Sequence, residues 1–203
     1  MKTTPSLHSS FNKKHLVYFA GFILFAFACS KEQSGGGGNT TSDVNIFTSQ
    51  APAGPTQNDN LGGIELGVKF QSQIAGFIDG VRFFKTRGNI GTHTGELYDA
   101  NGILLASKVF SIESDSGWQI VKFDTAVAIL ANTTYIAAYH SAQGNYTSFA
   151  YGFKNSIINP PLTGLADGAD GANGLYRYTN SPAVPDSGFL SNNYWVDVNF
   201  RTK

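Results

Sequence analysis

Short runs of apolar residues, separated by polar clusters, follow one another along most of this chain. The runs are rich in β-branched and aromatic residues, and none keeps the repeat of an amphipathic helix. Runs of this kind that end in Gly, Asn or Asp indicate consecutive antiparallel strands. Strands are predicted at 44–48, 64–70, 75–85, 93–98, 103–110, 118–123, 127–130, 134–140, 146–151, 175–178 and 194–200.

Turn-forming residues lie between these runs. Asn101-Gly102 offers two residues that accept a positive φ, as a tight hairpin turn requires. The stretch 159–173 contains Pro160-Pro161 and repeated glycines, which indicate a long surface loop. Strands and loops together predict an all-β fold: a single domain built as a two-sheet antiparallel β-sandwich, jelly-roll-like in type.

The last predicted strand, 194–200, alternates between two kinds of side chain. The set predicted to face the core is apolar: Tyr194, Val196, Val198 and Phe200. The other set begins with Trp195 and Asp197 and is predicted to face outward. A tryptophan beside a carboxylate on an outer face is the most informative anomaly in the domain.

The N-terminal residues follow a different pattern. Lys13-Lys14 precede an uncharged apolar run at 16–28, which is shorter than the roughly 20 residues of a bilayer-spanning helix. Residues 1–28 are therefore predicted to be a signal peptide. The run ends at Ala28, directly before the only cysteine, Cys29.

This junction resembles the lipobox of bacterial lipoproteins, in which a peptidase cuts before the cysteine and the sulfur carries diacylglycerol. Ala28 fits that pattern, whereas Ala26 replaces the more usual leucine. The resemblance implies lipid attachment at Cys29. The alternative is an ordinary secretory signal with an incidental cysteine.

Residues 29–42 are predicted to be an acylated tether. Gly35–Gly38 and the surrounding Ser, Thr and Asn residues do not support a packed structure. Several acyl chains on one cysteine give a stable membrane anchor that a single chain cannot give. The folded domain is predicted at 43–203, held by the tether off a bacterial envelope membrane, at the outer membrane or the cell surface.

Charge and cysteine usage narrow the possible partners. Lys2, Lys13 and Lys14 precede residue 28 and every acidic residue follows it, so the mature chain is mildly acidic and has no basic stripe. This composition argues against a nucleic-acid partner. One cysteine excludes an internal disulfide, but a domain of this size can bury a sufficient core without one.

Several short stretches occur in order between residues 45 and 200. They are 65–70, 80–85, 91–95, 117–119, 132–135, 165–168, 173–178 and 193–197. Together they resemble the bacterial domain of unknown function 4082 family. Such domains are similar to β-sandwich modules found beside glycosidases, adhesin-like repeats and other surface proteins. The resemblance implies a β-sandwich and brings no established activity.

A possible metal site lies in the predicted loop. Asp167, Asp170 and Asn173 place an oxygen-bearing side chain at every third residue, with glycines between them. Ca²⁺ binds such oxygens when several of them converge. Ordinary turn chemistry explains the Asp-Gly and Asn-Gly pairs equally well, so both interpretations stay open.

A ligand platform is the other candidate. Trp195 and Asp197, together with Tyr146, combine aromatic faces with a carboxylate, as a sugar site requires. Tyr139 and Tyr151 are further candidates for the same platform. The alternative is that these rings pack in the core.

No catalytic motif is present: the sequence lacks a Gly-x-Ser-x-Gly elbow, a His-Glu-x-x-His zinc motif and a Gly-rich phosphate loop. We therefore expect a lipid-anchored envelope protein with a non-catalytic module that takes no cofactor and binds glycan. The alternatives are a structural or protein-interaction module of the cell surface and a hydrolase with an unrecognised site.

Overall fold

The computed structural model describes residues 43–52 and 54–203, which form antiparallel β-structure without a helix. The predicted signal peptide 1–28 and tether 29–42, with Cys29, lie outside the described residues. The strands are β1 (Gln57–Asn58), β2 (Ile64–Ser72), β3 (Gly76–Lys85), β4 (His93–Asp99), β5 (Leu104–Val109), β6 (Gly117–Ile129), β7 (Tyr135–Ser141), β8 (Asn145–Tyr146), β9 (Ile157–Asn159), β10 (Leu162–Gly164), β11 (Leu175–Tyr178), β12 (Ser187–Gly188) and β13 (Val196–Arg201). Within the described part, no helix is long and apolar enough to cross a membrane.

Two sheets form the layers of a sandwich. The large sheet has the order β12-β11-β2-β7-β4-β5, with β10 added beside β2 and β9 beside β10. The small sheet has the order β13-β3-β6, and β1 pairs with β8 in a separate ribbon. The small sheet packs on the large one, with β3 against β4 and β7 and with β13 against β2 and β7. The all-β sandwich prediction is confirmed.

The core lies between the two sheets, where strand alternation places apolar side chains. Leu66 and Phe70 of β2 belong to the same core cluster as Val81 and Phe83 of β3, and all four are fully buried. Phe83 stacks on Tyr139 with 4.3 Å between ring centroids. Each such side chain contributes about 1.5–3 kcal/mol when it leaves water. The predicted inward set of the closing strand is also buried in this core: Tyr194, Val196, Val198 and Phe200.

Three strand predictions need correction. The predicted strand 44–48 is reduced to one bridge, Val44 to Phe200. Of the predicted strand 146–151 only the start belongs to a strand, β8; beyond it Phe149 forms a single bridge with Asn193, and the chain turns at Tyr151, where φ is +61°. The predicted runs 118–123 and 127–130 are one long strand, β6, whose register with β3 shifts once.

The shift in register occurs beside Gly80. A side chain at this position would collide with the backbone of β6, since an added Cβ would lie 2.0 Å from the carbonyl oxygen of Val121. Glycine therefore permits the close approach of β3 and β6 that keeps β6 continuous.

Turn and loop predictions were partly right. The β4–β5 hairpin turns where predicted, but only Gly102 has a positive φ there, +80°. Asp99 shapes the turn instead, since its Oδ1 accepts hydrogen bonds of 2.9 Å from the backbone N–H groups of Asn101 and Ile103. The predicted loop 159–173 contains the short strand β10, so it is not entirely irregular.

Candidate functional site

Trp195 does not lie on an outer face, so that prediction is wrong. Its side chain is only 8% exposed, and its ring lies 5.3 Å from the ring of Phe47. The physical reason is local backbone geometry. Trp195 has a φ of +58° and precedes β13, so the alternation of that strand does not extend to it.

Asp197 is buried as well, because the segment 44–47 covers the face of β13 that was predicted to be open. Its Oδ1 accepts from the backbone N–H groups of Ile46 and Val198, both at 2.7 Å. Its Oδ2 accepts from the Phe47 N–H at 3.0 Å and from two nitrogens of Arg82, Nε at 3.0 Å and Nη2 at 2.6 Å. Burial raises the pKa of Asp197 and the charge of Arg82 opposes this, while five donors favour the carboxylate. Asp197 therefore fastens the N-terminal segment.

The predicted metal triplet is held by structural hydrogen bonds. The Oδ1 of Asn173 accepts from Lys69 N at 2.8 Å, and its Nδ2 donates to the carbonyl of Leu165 at 2.6 Å. Asp167 accepts from Ser191 Oγ at 2.7 Å and from Asn173 N at 2.9 Å, and these bonds lower its pKa. Asp170 contributes its backbone carbonyl, which accepts from Lys69 Nζ.

Asn173 and Asp170 thus fasten the loop to Lys69 of β2, and Asp167 joins it to Ser191. Among the described residues, no group of three or more His, Cys, Asp and Glu side chains is placed to hold a metal ion.

Tyr146 lies in a cleft at one end of the sandwich. The cleft has a volume of about 350 Å³. Four tyrosines line it, together with two apolar and three polar residues: Tyr146, Tyr176, Tyr178 and Tyr194; Ile64 and Phe189; Gln57, Asp59 and Asn192. We call this site the tyrosine cleft.

The strands explain how these rings meet. Tyr176 and Tyr178 are two residues apart on β11, so both face the cleft, while Arg177 points to the opposite face of the sheet and pairs with Asp186. The rings of Tyr176 and Tyr178 are 5.6 Å apart in an edge-to-face arrangement.

Tyr146 of β8 meets Tyr194, which precedes β13, in a second edge-to-face pair at 5.8 Å. Both rings belong to the hydrophobic core cluster. The floor of the tyrosine cleft is therefore continuous with the core.

Asp59 is the polar centre of the tyrosine cleft. Its Oδ2 accepts hydrogen bonds from the hydroxyls of Tyr146 at 2.7 Å and Tyr178 at 2.8 Å. Burial and the bond to Asp59 raise the pKa of Tyr178 to about 12 and move that of Tyr146 further above its usual range. Both phenols therefore stay protonated and act as donors.

The backbone around Asp59 fixes its position. Asn58, the last residue of β1, accepts from the Asn60 N–H at 2.7 Å, and Asn60 has a φ of +57°. Asn58 also donates to Asn145 at 2.8 Å. This turn holds the carboxylate above the tyrosines.

One rim of the tyrosine cleft continues into exposed apolar side chains. Phe189 belongs to the lining and is 56% exposed. The following loop pairs with the segment after β8 through hydrogen bonds from Phe149 N to Asn193 O and from Tyr151 N to Leu190 O, both 2.9 Å. Phe149 and Tyr151 are 62% and 59% exposed.

Of the other predicted platform residues, Tyr139 is fully buried in the core.

The titratable side chains outside the tyrosine cleft that could serve in catalysis are buried inside the protein. His93 is buried, with Nδ1 2.9 Å from Glu113 and Nε2 2.9 Å from Asn89, and burial lowers its pKa. Glu65 and Glu96 are fully buried on the outer face of the large sheet, beneath the segment 179–186. Ala183 N lies 3.4 Å from Glu65 Oε2.

Sequence patterns identified Tyr146 but missed the residues that gather around it. The Tyr-Arg-Tyr alternation of β11 was the available signal for Tyr176 and Tyr178. Asp59 had no such signal, because it reaches the tyrosines only through the turn after β1 and the pairing of β1 with β8.

Fold and cleft define a β-sandwich module with one concave aromatic site. The chain belongs to the domain of unknown function 4082 family (DUF4082), whose model matches residues 49–196. No curated protein matches the chain.

Proposed function

We propose that this protein is a cell-envelope lipoprotein, anchored through Cys29, whose β-sandwich binds carbohydrate in the tyrosine cleft without catalysis. The observation that carries the proposal is the arrangement of four tyrosine rings around the carboxylate of Asp59. The anchor rests on the sequence pattern alone.

The chemistry of the tyrosine cleft suits a pyranose ring. The C–H faces of a sugar are apolar and pack on aromatic rings, while its hydroxyls need placed donors and acceptors. Tyr178 offers a ring that is 41% exposed, and Asp59 and Gln57 offer acceptors beside it. The bonds from both phenols to Asp59 hold the site in shape before a ligand arrives, which lowers the entropy cost of binding.

The distribution of carboxylates supports binding without hydrolysis. Most glycoside hydrolases place two carboxyl groups on either side of the bond that breaks. Asp59 is the only carboxylate among the residues that line the tyrosine cleft. The pair Glu65 and Glu96 is enclosed and has no exposed surface for a substrate.

The place where the chain enters the domain is compatible with a tyrosine cleft that a ligand can reach. Val44 bridges Phe200 near the end of β13, and Asn45 O accepts from Asn159 at 2.8 Å. Tyr194 lies before the start of the same strand, which spans about 20 Å at ~3.3 Å per residue. The first described residues of the domain thus lie at the end of β13 opposite the tyrosine cleft.

A glycan array probed with the mature chain tests the proposal. We expect Tyr178→Ala to weaken binding to the sugars that the wild type recognises by about fivefold to tenfold, since a stacked ring is worth roughly 1–1.5 kcal/mol. Leu130→Ala is the matched control, because Leu130 is exposed and lies next to Tyr135 at the other end of the sandwich. The absence of any sugar binding, or equal binding by Tyr178→Ala, would refute the proposal.

A protein-interaction module is the second candidate, and one observation favours it. Phe149, Tyr151 and Leu190 expose apolar surface on two loops that are hydrogen-bonded to each other. Exposed apolar patches of this kind often contact other proteins. If Phe149→Ala and Tyr151→Ala abolish pull-down of an envelope protein while no sugar binds, the second candidate replaces the first.

A further inference from the structure

We infer that the tyrosine cleft discriminates by charge: it accepts uncharged sugars and rejects glycans that carry uronic acid groups. The inference rests on the proposed function and specifies the ligand class of the same site. Its basis is the charge of the lining residues, which is independent of the stacking rings.

Asp59 is the only charged group among the lining residues, and it is exposed to solvent. The phenols of Tyr146 and Tyr178 both donate to Oδ2. Among the described residues, no group donates to Oδ1 and no cation forms an ion pair with Asp59. The carboxylate therefore lies in the cleft without a paired cation and has one oxygen free to accept a sugar hydroxyl.

Among residues 43–52 and 54–203, no basic residue lines the tyrosine cleft to receive an acidic ligand. Arg177, the basic residue of β11, faces the other side of the sheet, where its Nη1 lies 3.4 Å from Oδ2 of Asp186. Recognition of a ligand carboxylate normally needs such a guanidinium or ammonium group. A uronate in this site would meet Asp59 without a counter-charge.

The expected size of the discrimination follows from Coulomb repulsion. Two carboxylates about 6 Å apart at the edge of a protein repel each other enough to weaken binding by roughly tenfold at low salt. Screening reduces this effect, because the Debye length falls from about 10 Å at 0.1 M to about 3 Å at 1 M salt. An uncharged sugar has no such dependence on salt.

The experiment uses matched ligands on the mature chain. Uronic acid oligosaccharides and the same oligosaccharides after reduction of their carboxyl groups differ only at one carbon of each uronic acid unit, which carries a carboxylate before reduction and a hydroxymethyl group after it. Both are titrated at 0.1 M and 1 M salt, because the charge effect is the part of the difference that salt screens. We expect the reduced oligosaccharides to bind about tenfold more tightly at 0.1 M and the gap to narrow at 1 M.

Asp59→Asn tests the named residue. Asparagine keeps an oxygen that can accept from both phenols, so the shape of the cleft is retained while the charge is removed. We expect this variant to bind the acidic and the reduced ligands with similar affinity. Asp124→Asn is the control, since Asp124 is an exposed carboxylate outside the cleft, paired with Lys108 at 2.6 Å.

The outcomes separate the two proposals. If acidic ligands bind as tightly as their reduced forms to the wild type, or if the preference survives in Asp59→Asn, the charge inference is wrong although sugar binding stands. If neither form binds and the wider array is also negative, the carbohydrate proposal itself fails.

Discussion

Arg82 and Asp197 form a buried ion pair between neighbouring strands of the small sheet, with 2.6 Å between Nη2 and Oδ2. Arg82 also donates to the carbonyl of Phe47 and lies 4.2 Å from the ring centre of Trp118. The pair thus joins β3, β13 and the segment 44–47. Because desolvation of two charges offsets much of their attraction, its main contribution is to fix this arrangement.

Removal of Arg82 leaves Asp197 buried and without its counter-charge. We expect Arg82→Ala to lower the free energy of unfolding by about 3–5 kcal/mol, measured by chemical denaturation. Lys108→Ala removes one partner of an exposed pair and should cost less than about 1 kcal/mol. Equal losses in both variants would contradict a structural role for the buried pair.

Trp195 has a structural role that can be separated from ligand binding. We expect Trp195→Ala to lower the free energy of unfolding by about 3–5 kcal/mol, because truncation of a buried ring leaves a cavity beside Phe47. Phe149→Ala removes an exposed ring and should change stability little. A Trp195→Ala variant with unchanged thermal stability and lost sugar binding would restore the outward platform predicted from sequence.

The closing strand shows why the core was predictable and the candidate site was not. Alternation placed Val196 and Val198 in the core correctly, because strand geometry is local and repeats every two residues. Alternation cannot tell which faces are later covered by other segments. The face with Asp197 is covered by 44–47, and the hydrogen bonds that hold this segment join residues about 150 positions apart.

The tyrosine cleft likewise could not be predicted from local sequence patterns. Each of its tyrosines could be assigned to a strand or its flank, but their meeting depends on which sheet edges come together. Asp59 and Tyr178 are 119 residues apart in sequence and are joined by one hydrogen bond. A binding site built from such long-range contacts becomes visible only when the topology is known.

The predicted anchor can be tested without a ligand. We expect Cys29→Ser to move the mature protein from the membrane fraction to the soluble fraction, because a serine side chain cannot carry the thioether-linked lipid. Fractionation of cells followed by detergent extraction measures the change. A substitution of Ser30 by alanine is the control and should leave the protein with the membranes. Retention of Cys29→Ser in the membrane fraction would contradict the lipoprotein assignment.

The buried pair Glu65 and Glu96 predicts a dependence of stability on pH. Burial raises the pKa of both groups, that of Glu96 from 4.5 to about 7. Between these two pH values the folded state holds a proton that the unfolded state has lost. The contribution of Glu96 to the free energy of unfolding is therefore fully present below pH ~4.5 and is lost as the pH rises through 7. His93 acts in the opposite direction: burial lowers its pKa, and its contribution declines as the pH falls below 6.5.

Comparison of the wild type with Glu96→Gln separates the pH dependence of stability due to Glu96 from that due to His93. Urea unfolding at pH 5 and pH 8 measures the free energy of both proteins. We expect the wild type to lose on the order of a few kcal/mol more than Glu96→Gln over this interval, because glutamine cannot ionise beneath the segment 179–186. Glu113→Gln, which changes a partly exposed carboxylate beside His93, should retain the loss due to Glu96. If the pH curves of the wild type and Glu96→Gln run parallel, Glu96 does not hold a proton in the folded state and the prediction for this residue is wrong.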